Sequence, residues 1–117
     1  MGLFDAFKKK KTVSFEEIDS IEKAKAECKK GNLERMHIMS PIFGGSDEDH
    51  NILYVPVGVN RIKDGYDNIL ADLVEQGKAS SFNCKPEYKG KSVVPSKITI
   101  TSGKDGVDVF KQTINVW

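Results

Sequence analysis

Cysteine and histidine are too scarce in this sequence to build most covalent or metal-stapled scaffolds. Cys28 and Cys84 are the only cysteines, far apart and in no close pair. A disulfide framework normally carries more, and a structural zinc site needs four ligands, at least two of them usually close in sequence. Reduced, half-buried thiols are therefore the expectation, with a reducing cytoplasm as the expected compartment. No apolar run approaches the ~20 residues that span a bilayer, and no stretch has the apolar core of a signal peptide. His37 and His50 are the only histidines, no Gly-x-Ser-x-Gly elbow surrounds a serine, and neither cysteine sits in a setting that marks a nucleophile. Gly90-Lys91-Ser92 ends like a phosphate-binding loop. However, Lys85 stands where that motif requires its first glycine, and Val93, Val94 and Pro95 follow where its helix should start. No catalytic residue, metal ligand or cofactor is assigned on these grounds.

Charge of one sign is also missing, since 18 Lys and Arg oppose 17 Asp and Glu. The balance is uneven along the chain. Lys8, Lys9, Lys10 and Lys11 face only Asp5 in the first eleven residues, so residues 12–117 carry a net −2. A mildly acidic body argues against a domain built to neutralise phosphates, and nucleic acid is an unexpected partner. Residues 82–91 do interleave Phe82 and Tyr88 with Lys85, Lys89 and Lys91, as single-strand-binding surfaces do. The same interleaving arises from an ordinary strand and turn with solvated lysines.

A chain of 117 residues suits one domain with a core large enough to fold unaided. Residues 1–13 read as a basic tail and residues 14–117 as a single α+β domain. In the tail, Leu3, Phe4 and Phe7 could enter a membrane interface while Lys8, Lys9, Lys10 and Lys11 meet anionic lipid. The alternative is a solvated tail. Gly2 follows Met1 as myristoylation requires, but Ala6 replaces the usual Ser or Thr.

The first helix is expected from a capping box at Ser14 and Glu17, with Phe15, Ile18, Ile21, Ala24 and Cys28 on one face and Gly31 as its stop. Residues 33–39 alternate as a strand. Residues 40–51 form a long loop, and residues 52–59 a second strand in which Pro56 implies an edge or a bulge. The second helix is expected from an Asp64 cap. Tyr66, Ile69, Leu70, Leu73 and Val74 would form its buried face, Asp67 would favour its first turn, and Gly77 would end it. Three strands follow at residues 79–85, 93–101 and 107–117, with a five-residue hairpin loop at residues 102–106 and a bulge near Phe110. The order α-β-β-α-β-β-β predicts a mostly antiparallel five-stranded sheet with both helices on one face.

The loop offers the candidate site. Ser46-Asp47-Glu48-Asp49-His50 has metal-ligand chemistry, and a metal-dependent enzyme would need Asp47, Asp49, His50 and His37 to converge. Adjacent side chains rarely do so, and a solvated acidic tip is the simpler expectation. Ile42 and Phe43 beside those acids instead suggest a contact surface for another protein, built from Ile42, Phe43, Asp47, Glu48 and Asp49. A non-catalytic interaction module, monomeric or homodimeric, is the functional expectation. Peripheral membrane association and metal-dependent catalysis are its alternatives. Trp117 is expected in the core, and His37 in a structural role.

Overall fold

A computed structural model describes residues 14–117. The membrane-contact residues Leu3, Phe4, Phe7, Lys8, Lys9, Lys10 and Lys11 lie outside the described residues. The elements are α1 (Ile21–Lys29), β1 (Leu33–His37), β2 (Ile52–Pro56), α2 (Val59–Glu75), β3 (Ser81–Glu87), β4 (Lys97–Lys104) and β5 (Val107–Asn115). Short 3-10 turns cover Phe15–Glu17, Pro41–Phe43 and Asp49–Asn51. Among the described residues no helix is long and apolar enough to cross a membrane.

The class is α+β and all pairing is antiparallel, but the five strands do not form one sheet. β1 and β2 make a two-stranded sheet, while β3, β4 and β5 make a separate sheet in that order. The reason lies in β2, whose Ile52, Leu53, Tyr54 and Val55 are all buried. Alternating side chains point to opposite faces, so a strand apolar at every position needs cover on both sides. Ile52 and Tyr54 join Ile18, Ala24, Leu33 and Val94 in one cluster. Leu53 and Val55 join Met36, Val59, Leu70, Cys84, Ile98, Ile100 and Ile114 in the other. The β1–β2 hairpin is thus a middle layer. α1 covers one of its faces, while α2 and the three-stranded sheet cover the other, so the helices do not share a face.

Both helices start elsewhere than expected. Ser14 makes no side-chain cap, and the stretch after it is only the 3-10 turn Phe15–Glu17. The carbonyl of Ile18 accepts a hydrogen bond from Val93 N at 2.8 Å and is not available to a continuing helix. Ser20 then caps α1, its hydroxyl accepting from Lys23 N at 3.1 Å. Ile21 consequently falls on the solvent side. α2 begins at Val59, before the expected Asp64 cap, because Glu34 of β1 supplies the cap from across the hairpin. Its Oε2 accepts from Gly58 N at 2.8 Å and from Asn60 N at 3.2 Å. The buried face of α2 is Val59, Lys63, Asp67 and Leu70, whereas Ile69 and Val74 are exposed. Asp67 is therefore a mid-helix core residue and not a first-turn charge. The left-handed residue Gly77 (φ 73°) closes the helix, with Gly77 N and Lys78 N donating to Val74 and Leu73 carbonyls.

The second sheet keeps its expected character with tighter turns. Asp105 and Gly106 form a two-residue hairpin turn, both at positive φ, in place of the five-residue loop. Ser102 faces Phe110 and Gly103 faces Asp108, so Val109 is the extra residue of a bulge where one was expected. Residues 93–96 lie outside the strand. Val94 is buried there and its carbonyl accepts from Trp117 Nε1 at 3.0 Å, placing the half-buried Trp117 against Phe15 at the edge of the α1-side cluster.

Removing the borrowed cap tests this account of α2. E34A is expected to cost about 1 kcal/mol in chemical denaturation, the usual worth of a helix N-cap. Amide exchange should accelerate first at Gly58 and Asn60, and unchanged exchange there would contradict the assignment.

Candidate functional site

The loop between β1 and β2 is tied across its base by Asn51. Asn51, buried at its base, accepts from Met39 N through Oδ1 at 2.8 Å and donates through Nδ2 to the carbonyls of Met39 and Ser46 at 2.9 and 2.7 Å. Ser40 turns the chain at the other side. Its carbonyl accepts from Phe43 N and Gly45 N, and its hydroxyl accepts from Ile42 N. The backbone crosses itself so closely that a Cβ on Gly45 would stand 1.8 Å from the Met39 carbonyl oxygen. Only glycine fits there.

This scaffold separates the candidate contact residues. Ile42 is 57% exposed, and Asp47, Glu48 and Asp49 face solvent. Phe43 turns inward instead, packing on the α2-side cluster with its ring 5.9 Å from that of Phe82. It anchors the loop and offers little surface. Phe82 is equally engaged in the core, so its ring is not an open stacking platform in the Phe82–Lys91 stretch.

The acids and histidines pair off without gathering. Nε2 of His37 lies 2.7 Å from Asp47 Oδ1, and Nδ1 of His50 lies 3.4 Å from Glu48 Oε2. Arg35 makes a long contact of 3.5 Å to the Asp47 carbonyl. The His37 contact holds the Asp47 carboxyl below its ordinary range. Among the described residues no three His, Cys, Asp or Glu side chains come together as a metal would require. The convergence of Asp47, Asp49, His50 and His37 on which the metal-enzyme expectation depended is thus absent from these residues. Within the turn Asp49–Asn51, Asp49 lines a depression with Lys25, Lys29 and Arg35, His50 meets Glu48, and Asn51 is turned to Met39 and Ser46.

A second chemical cluster lies inside the fold. Lys63 and Asp67, one turn apart on α2, have side chains only 1% and 2% exposed and meet at 2.7 Å through Nζ and Oδ2. The ring of Phe82 lies 5.6 Å from Nζ, and Cys84 is close enough for its thiol to feel both charges. Burial pushes Cys84 up to about 11 and also raises the Asp67 carboxyl, outweighing the opposing pull of Lys63. Among the described residues, Asp67 Oδ1 accepts no hydrogen bond. Sequence reading passed over this pair because charged residues on a helix are ordinarily assigned to its wet face. Its signal was the spacing Val59, Lys63, Asp67, Leu70, a continuous i, i+4, i+8, i+11 row. With solvent excluded, the pair acts on the fold and not on a solute.

No family description, curated protein or solved structure matches this chain.

Two outcomes follow for the buried pair. K63M alone strands a buried carboxylate and is expected to cost about 3–5 kcal/mol in urea denaturation, while K63M/D67L should recover most of that loss. Equal stability of the single and double variants would contradict the pairing. Because the folded state raises the pKa of Asp67, its contribution is fully present below the ordinary aspartate pKa of about 3.9 and is lost as pH rises through the folded value. The stability of wild type relative to D67N should therefore fall as pH rises from about 3.5 to 7; a flat difference over that interval would refute the raised pKa.

Proposed function

We propose that the protein is a non-catalytic binding module that docks a basic surface of another protein on the loop of residues 38–51. The observation that carries this reading is a braced loop on which Ile42, Asp47, Glu48 and Asp49 are all exposed. An exposed apolar side chain with acids on the same loop has the composition of a small contact patch with an apolar centre and a polar rim. The acids steer a cationic partner and fix its register, and the apolar side chain supplies area removed from water. Bracing matters because a loop already fixed before docking loses little conformational freedom on binding. Met39, exposed at the loop's start, extends the apolar part of the patch.

Glu48 and Asp49 are the informative residues for a test, since Asp47 is also tied to His37. A partner retained from native lysate should be lost by E48K/D49K and weakened by I42S, and rising salt should release it from the wild-type protein. Melting temperatures should stay within about 2 °C of wild type, as surface substitutions away from packing usually do. Retention of the same partner by E48K/D49K would end this reading.

A further inference from the structure

Two depressions lie against successive turns of α1 and share the side chain of Tyr54. The first, about 300 Å³, is walled by Ile21, Ile52, Tyr54, Tyr88 and Val93. The second, about 360 Å³, is ringed by Lys25, Lys29 and Arg35, with Cys28, Asp49 and Tyr54. Ile21, Lys25 and Cys28 recur at i, i+4 and i+7 and so stand on one flank of the helix. An apolar depression thus leads along that flank to a cationic one.

The cationic end has unmet chemistry. Three cations there face a single carboxylate, Asp49, and among the described residues none of the three is in an ion pair. Arg35 makes a long contact to the Asp47 carbonyl and lies near enough to help hold the Asp47 carboxyl low, without forming an ion pair with it. Tyr54, though only 5% exposed, lines both depressions, and among the described residues its hydroxyl makes no hydrogen bond. Three cations around one depression suit an oxyanion, which accepts hydrogen bonds from such donors. The neighbouring apolar walls suit a hydrocarbon body, and each depression is about the size of a small-ligand pocket.

We propose that this groove binds a small amphipathic oxyanion, with its apolar body between Ile21, Tyr88 and Val93 and its carboxylate or phosphate head against Lys25, Lys29 and Arg35. A fatty alcohol would leave the cations unmet, and inorganic phosphate would leave the apolar walls wet. The chain's own Leu3, Phe4 and Phe7 are a poorer fit, because the four lysines that follow them bring charge of the wrong sign. The groove borders the 38–51 loop at Asp49, but its apolar end and its three cations lie on other elements, so the proposal does not rest on the docking reading.

Octyl phosphate and octanoate, titrated into the full chain by calorimetry, test the proposal beside inorganic phosphate and octanol. At least one of the two amphiphiles should bind about tenfold or more tightly than either fragment. Comparing them tells which head the cationic end takes. The same amphiphile should slow iodoacetamide alkylation of the half-buried Cys28, while the buried Cys84, its thiol pushed up to about 11, stays unreactive as an internal reference. K29Q/R35Q should weaken binding about tenfold and restore the Cys28 rate, with the unfolding midpoint recorded to verify the fold. Amphiphile binding no tighter than that of the fragments, or affinity that survives K29Q/R35Q, would overturn the proposal.

Discussion

Everything in this fold depends on β2 being apolar on both faces. A strand of Ile52, Leu53, Tyr54 and Val55 cannot lie on a surface, because either exposed face would leave two large side chains in water. It demands a layer above and a layer below. α1 and the Val94 segment supply one layer, and α2 with the three-stranded sheet supplies the other. The division into two sheets, the opposite placement of the helices and the two apolar clusters all follow from that demand.

The buried Lys63–Asp67 pair sits against this arrangement as a cost. Two charges withdrawn from water lose solvation that a single 2.7 Å contact repays only in part, and the unsatisfied Asp67 Oδ1 adds to the deficit. Both groups lie on α2, so their contact with each other does not orient the helix; the link to the sheet is the 5.6 Å approach of Nζ to the Phe82 ring of β3. Tyr66 adds a second link through Phe110 of β5, with 5.9 Å between ring centroids. Phe82 in turn holds Phe43, so the set of α2 on the sheet reaches the anchor of the 38–51 loop.

That loop shows how a polar core residue replaces an apolar one where backbone must be satisfied. Residues 38–51 carry too few apolar side chains to pack as a unit, and their turns leave carbonyls and amides pointing inward. Asn51 meets three of those groups at once, and Gly45 permits the close crossing that brings them within its reach. Ile42 and the acids are left outside as a consequence of what the interior has already taken.

The sequence by itself determined the α+β class, the antiparallel pairing, the β1–β2 hairpin, the Gly77 stop and the bulge at Val109, because these follow from local periodicity and turn chemistry. It also placed the exposed acids and Ile42 on one loop. Only the tertiary structure decided the rest. Ser20 prevails over Ser14 as a cap because the Ile18 carbonyl is claimed by Val93, far away in the chain. α2 starts at Val59 because Glu34 on another element caps it. Lys63 and Asp67 turn inward because each neutralises the other where neither could be buried alone, and Tyr54 lines the groove beside α1 because β2 lies in the middle layer of the fold. Periodicity reports which side of an element prefers water; it carries no information about which distant group will supply a hydrogen bond, a counter-charge or a second apolar face.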